Sequence, residues 1–169
     1  MAYEFNLGAL EGPYTDDQWA HIVEFILGMD AAQNVVVVMS VILFPTDNPD
    51  VLELCFGIRT KGETFGISEP DYGKESAAKY IPKNQRADVL QKIKEAVESI
   101  VSSKMPAYIA METYYPNLPP EALTKYSVIG AGIIILGYVI EDQFRDPESG
   151  INYWFFRKRD WDWGLRTLL

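Results

Sequence analysis

The stretch Thr15-Asp16-Asp17-Gln18-Trp19-Ala20-His21-Ile22-Val23-Glu24-Phe25-Ile26-Leu27-Gly28 decides how the chain is read. Trp19, Ile22, Val23, Ile26 and Leu27 recur at spacings of three and four, which predicts one apolar stripe on an α-helix. Thr15 followed three residues later by Gln18 matches a capping box, and Gly28 suits a stop. On such a helix His21 points away from the core, flanked by Asp17 and Glu24 on a solvated face. Phe25 is the odd member of that face, an aromatic among acids.

Outward from this segment, Tyr3, Phe5 and Leu7 alternate with small or polar residues and predict a short strand before it. After it, Val35 to Phe44 is apolar on both parities and β-branched, the pattern of a strand covered on both faces, with a buried helix as the other reading. Leu52, Leu54, Phe56 and Ile58 alternate with Glu53, Cys55, Gly57 and Arg59, and Phe65 and Ile67 mark a further strand. Residues 69–82 read as an irregular connection with one helical turn. Leu90, Ile93, Val97, Ile100 and Val101 then predict a helix over 84–103. Ala107 to Tyr115, Ser127 to Phe144 and Ile151 to Arg159 are expected strands, with a single helical turn at Glu121–Lys125. The expected order is β-α-βββ-α-βββ. This is an α+β fold with mainly antiparallel sheet and two principal helices, residues 1–169 forming a single globular domain.

With 169 residues, 48% hydrophobic and 23% charged, the chain is expected to bury a core without staples. Its one cysteine, Cys55, allows no internal disulfide. The opening residues lack a basic n-region, and the longest uncharged apolar run, Tyr126 to Ile140, is 15 residues with three glycines, short of the ~18 a spanning helix needs. A cytoplasmic protein is expected. The net charge of −9 is concentrated at the start, where residues 1–60 hold nine acids against Arg59 alone. Such a field disfavours nucleic acid and anionic membrane and favours a basic protein partner.

Catalytic patterns are sparse. His21 is the only histidine, and Cys55 faces away from the apolar side of its strand without an orienting third group. Gly130-Ala131-Gly132 starts a dinucleotide pattern that fails at Ile135. Glu112, just before Tyr114-Tyr115, and Glu141 are the carboxylates with the best claim to acid–base work. The C-terminal stretch Tyr153-Trp154-Phe155-Phe156 leads through a basic trio to Trp161 and Trp163.

The leading expectation is therefore a non-catalytic, acidic protein-binding domain, an immunity-type or adaptor protein for a basic partner. Asp16, Asp17, Glu24, Phe25, Asp47, Asp50, Trp161 and Trp163 form the expected binding surface. No catalytic residue, metal or cofactor is expected. The rival is a small hydrolase of glycans or esters that uses Glu112 and Glu141.

Overall fold

The computed structural model describes residues 3–63, 66–71 and 73–159. The strands are β1 (Tyr3–Phe5), β2 (Leu10–Thr15), β3 (His21–Asp30), β4 (Val35–Pro45), β5 (Val51–Gly62), β6 (Gly66–Ile67), β7 (Tyr108–Glu112), β8 (Tyr138–Arg145) and β9 (Asn152–Lys158). The helices are α1 (Lys74–Tyr80), α2 (Arg86–Lys104) and α3 (Pro120–Ile135). The fold is α+β, with one mostly antiparallel nine-stranded sheet and three α-helices among the described residues.

The sheet runs β1-β3-β4-β5-β7-β9-β8, with β2 also pairing β3 and β6 pairing β5. Among the described residues β5 and β7 form the one parallel pair, joined by a crossover that carries α1 and α2. One face packs under the helices. Val23, Phe25 and Leu27 of β3, Val37, Met39, Val41 and Leu43 of β4, and Ile109 and Met111 of β7 meet Val97, Ile100 and Ile133 there. Tyr126 of α3 stacks on Trp154 of β9, with centroids 5.3 Å apart and rings 6° from parallel. The opposite face, called outer below, carries a smaller apolar cluster of Ala20, Ile22 and Ile42.

Two elements depart from expectation. Residues 21–30 form strand β3, not the back half of a helix over 15–28. Before it, the Asp16 carboxylate accepts from the Gln18 and Ala20 amides at 2.9 Å, and Trp19 sits at φ 64°, which stops helix propagation. Trp19 is consequently 75% exposed, while Phe25, expected outside, is 1% exposed in the core. His21 is half-buried, and Ile26 lies at the surface. The apolar residues of β3 fall on both parities because both of its faces are covered, so the helix-like spacing is incidental.

Residues 127–144, expected as one strand, divide into α3, a turn at Gly137 (φ 93°), and edge strand β8. Pro120 opens α3 at its first turn, where a missing N–H costs nothing. Gly130 lets the helix settle onto the sheet, since a Cβ there would lie 3.3 Å from the Phe156 ring. Tertiary packing thus overrides the strand preference of a β-branched run. The order β-α-βββ-α-βββ and the count of two helices are corrected accordingly.

The remaining expectations fare better: α2 matches the helix expected over 84–103. The strands expected near 3–7, 35–44, 52–59, 107–115 and 151–159 appear as β1, β4, β5, β7 and β9. Ile67 lies in β6, and Phe65 falls outside the described residues. No helix among the described residues is long and apolar enough to cross a membrane.

Candidate functional site: a cleft through the sheet

The parallel pair β5–β7 is short. It runs from Val51 opposite Tyr108 to Leu54 opposite Met111. Beyond that β7 stays with β9 as far as Glu112 opposite Tyr153, while β5 continues along β4 and is met by Asp71, whose backbone bridges Ile58. The two strands therefore part at Cys55 and Glu112. Alternate backbone groups of a strand point to opposite neighbours. The Asp50 carbonyl accepts from Tyr108 and the Ile58 amide donates to Asp71, so the even-numbered residues of β5 face this side. Phe56, between them, aims its N–H and C=O into the gap with no ladder partner among the described residues.

Side chains follow the same alternation. Leu54 and Ile58 of β5 and Met111 of β7 belong to the core under the helices. Glu53, Cys55 and Glu112 consequently project from the outer face. A small cavity of about 40 Å³ in the parting of the strands touches both sides, lined by Glu53, Cys55 and Glu112 together with Phe56, Tyr114, Lys125 and Tyr126. On the helix side, Phe56 and Lys125 also border a groove of about 790 Å³ between α1, α2 and the start of α3. Phe56 and Lys125 thus stand between a large groove on one face and a small cavity that reaches paired carboxylates on the other.

The electrostatics of this junction are distinctive. Glu112 is exposed as a residue, but partial burial of its carboxyl, reinforced by the Glu53 charge, raises its pKa. The Cys55 thiol lies 3.6 Å from a Glu53 carboxylate oxygen. Burial lowers the pKa of Lys125, whose ammonium lies 5.6 Å from the Phe56 ring centroid and 5.1 Å from that of Tyr126. Burial also raises the phenol of Tyr114, with the neighbouring Cys55, Tyr115, Asp71 and Glu53 acting in the same direction. The Tyr126 phenol is raised by burial against the opposing hydrogen bond from the Tyr114 backbone. A carboxylate with raised pKa, a protonated phenol and a backbone donor around one gap are the parts of a proton-transfer site.

The expected binding residues are dispersed. Asp16 and Asp17 precede β3 and Asp47 and Asp50 follow β4; the pairing of His21 with Leu43 puts both segments at one end of the sheet. Asp16 is engaged in its turn, Asp50 is half-buried, and Asp17 and Asp47 are exposed. Glu24 is 2% exposed on the outer face. It ion-pairs with Lys61, accepts from Ser40 at 2.6 Å and lies 3.8 Å from Arg59. Phe25 is in the core, and Trp161 and Trp163 lie outside the described residues. The acids of the first third therefore do not make one free surface. Glu112 and Glu141 are not brought together either, because β9 separates their strands and Glu141 pairs with Arg157 at 3.3 Å. The carboxylate that does accompany Glu112 is Glu53. Glu53, Tyr114, Lys125 and Tyr126 were missed. The sequence signal for them was Glu112 preceding two tyrosines, together with the alternation that sets Glu53 beside Cys55.

No family model and no curated protein sequence matches the chain. Among solved structures it is similar to spermidine N-acetyltransferase SpeG from Vibrio cholerae. The N152L mutant of that enzyme aligns with TM-score 0.42 and 13% identity over 85% of this chain and 66% of that one. Two chimeras of it with hSSAT align with TM-scores of 0.36 and 0.38 at 12% and 11% identity, covering 81% and 85% of this chain and 67% and 69% of theirs. The chain spans about two thirds of the length of these structures. These structures are named as acetyltransferases; for this chain, the expectations of a non-catalytic acidic binder, of an immunity-type protein and of a glycan or ester hydrolase are corrected by the geometry of its own site. The dispersal of the acids and the separation of Glu112 from Glu141 agree with that correction.

Proposed function

We propose that the chain is an N-acyltransferase, moving an acyl group from a thioester to a primary amine across the cleft between β5 and β7. The observation that carries this reading is the parting of β5 from β7, where Phe56 and Lys125 border both a donor-sized groove under the helices and a small cavity lined by two carboxylates of the outer face. An acyl transfer needs two substrates to meet at one carbonyl carbon, and a passage through a sheet lets each approach from its own side.

The amine, arriving as an ammonium, is drawn by Glu53 and Glu112. The ammonium first gives one proton to Glu112, which passes it to solvent; the free amine then attacks the thioester carbonyl, and Glu112 takes the second proton as the C–N bond forms. The carbonyl oxygen gains charge beside the Phe56 N–H and the Lys125 ammonium, both fixed before the reaction begins. As the C–S bond breaks, the departing thiolate takes the phenolic proton of Tyr114, which its surroundings keep on oxygen at neutral pH. The products are an amide and a thiol. Spermidine, the substrate in the name of the similar structures, belongs to the amine class these carboxylates suit.

The test is incubation with acetyl coenzyme A and spermidine, with mass analysis of the amine and assay of released thiol. One thiol released for each amide formed is expected, with the rate dependent on amine. Thioester hydrolysis indifferent to amine, or no turnover with any acyl thioester, would overturn the reading.

A further inference from the structure

The groove under the helices is poorly suited to the charged part of a nucleotide thioester. Its walls carry three basic side chains, Lys74, Arg86 and Lys125, against three acidic ones, Asp71, Glu75 and Glu121. A diphosphate finds no surplus of positive charge there. One backbone donor at the groove is already used: the Asp71 carboxylate accepts from the Gly73 amide at 2.7 Å and from the Ser76 hydroxyl. Asp71 is also tied by its backbone to Ile58, with bonds of 2.9 and 2.7 Å, so its negative charge is anchored on the groove wall. The rest of the lining is mostly apolar, with Met39, Ile58, Leu90 and Ile93 beside the Phe56 ring and Thr124. At about 790 Å³ the groove lies within the usual range for ligand pockets, ~300–1,000 Å³.

We infer that this groove holds the aliphatic chain of a long-chain acyl donor, with the thioester carbonyl at Phe56. The inference rests on the N-acyltransferase reading and names its donor class. A saturated chain matches a lining whose charges balance and whose remaining side chains are mostly apolar, and its affinity should grow with length by about fourfold per methylene, the usual ~0.8 kcal/mol per buried CH₂. A short acyl group would leave most of the groove filled with water.

The experiment measures binding of octanoate, decanoate and dodecanoate by calorimetry, below micelle-forming concentrations, then displacement of bound dodecanoate by free coenzyme A. Ala78 and Ala87 are exposed residues of the groove wall, so Ala78→Trp and Ala87→Trp fill it without entering the core. Expected are affinities that climb with chain length, at least tenfold weaker dodecanoate binding in either variant, and no displacement by coenzyme A. Equal affinity for all three chains, or displacement by coenzyme A, would overturn the inference while leaving amine-dependent acyl transfer intact. Length-dependent binding without turnover of dodecanoyl or acetyl thioesters would uphold an aliphatic site and overturn the transferase reading instead.

Discussion

Glu24 and Glu112 project from the same face of the same sheet and have been put to opposite uses. Glu24 lies on β3, 2% exposed, with Lys61, Ser40 and Tyr14 hydrogen-bonding its carboxylate. Burial alone would raise its pKa, but those three partners outweigh burial and hold it below the ordinary value. Glu112 lies beside the gap on β7, with Glu53 as its charged neighbour, and burial and that like charge push its pKa up. A carboxylate surrounded by donors is a permanent anion and part of the framework. One deprived of them keeps its proton to higher pH. The difference arises from the sheet: β3 is flanked on both sides, and the cation that reaches Glu24 stands two strands away on β5. The parting of β5 from β7 leaves Glu112 without an ion pair among the described residues.

The comparison can be broken most sharply at Glu24. Glu24→Ala would leave Lys61 and Arg59 without their anion and expose the Ser40 hydroxyl to an apolar surrounding. A loss on the order of 2–3 kcal/mol is expected, below the 3–5 usual for a fully buried pair. The discount reflects Lys61, whose side chain keeps 32% of its exposure and can turn to water. Urea melts of the variant measure it, and a change under ~0.5 kcal/mol would show that the cluster is not structural.

The acid limb of stability sharpens the contrast. Because the pKa of Glu24 is depressed on folding, its stabilisation is present above the unfolded value of about 4.3 and is lost as pH falls through the lower folded value. Glu112 works with the opposite sign. Its pKa is raised on folding, so its charge opposes folding at neutral pH, and protonation on the way down to about 4.3 relieves that opposition. Glu24→Gln should therefore flatten the loss of stability at low pH, whereas Glu112→Gln should leave that loss in place. Melts between neutral and acid pH distinguish the two.

The smallest effects are expected where side chains face water. Glu112→Gln at neutral pH should change stability by no more than ~0.5 kcal/mol, and in the favourable direction. Trp19→Ala should likewise cost less than ~0.5 kcal/mol, because the ring is 75% exposed; a helix over 15–28 would have made it a costly core truncation. A loss above ~2 kcal/mol from Trp19→Ala would contradict the strand placement of this region.

That last contrast shows what was legible. Helix α2 could be read because one face meets the sheet and the other meets water, so a single apolar stripe survives in the sequence. Strands β4 and β5 were legible from β-branched runs and from alternation. The segments β3 and α3 were exchanged, strand for helix. Covered on both faces, β3 loses its alternation, and its apolar residues fit a helical spacing by chance. Glycines and consecutive isoleucines make α3 look strand-like, although Gly130 is there so that the helix can approach Phe156. The misreading of α3 hid Lys125 and Tyr126, which α3 delivers to the cleft. Glu112 could be singled out from its aromatic neighbours, but its partner Glu53 depends on which strands lie side by side. That pairing joins residues more than fifty positions apart, and no local pattern encodes it.

The most direct test of the account is the pH dependence of amine-driven thiol release, measured as kcat/KM for the wild-type chain and for Glu112→Gln. The account predicts that wild-type activity falls on the acid side with an apparent pKa above the ordinary carboxylate value. The variant should lose that limb together with about 10²–10⁴ of its rate, the usual contribution of a general base. A variant that keeps both the wild-type rate and the wild-type limb would contradict the assignment of the cleft between β5 and β7 as the site of chemistry.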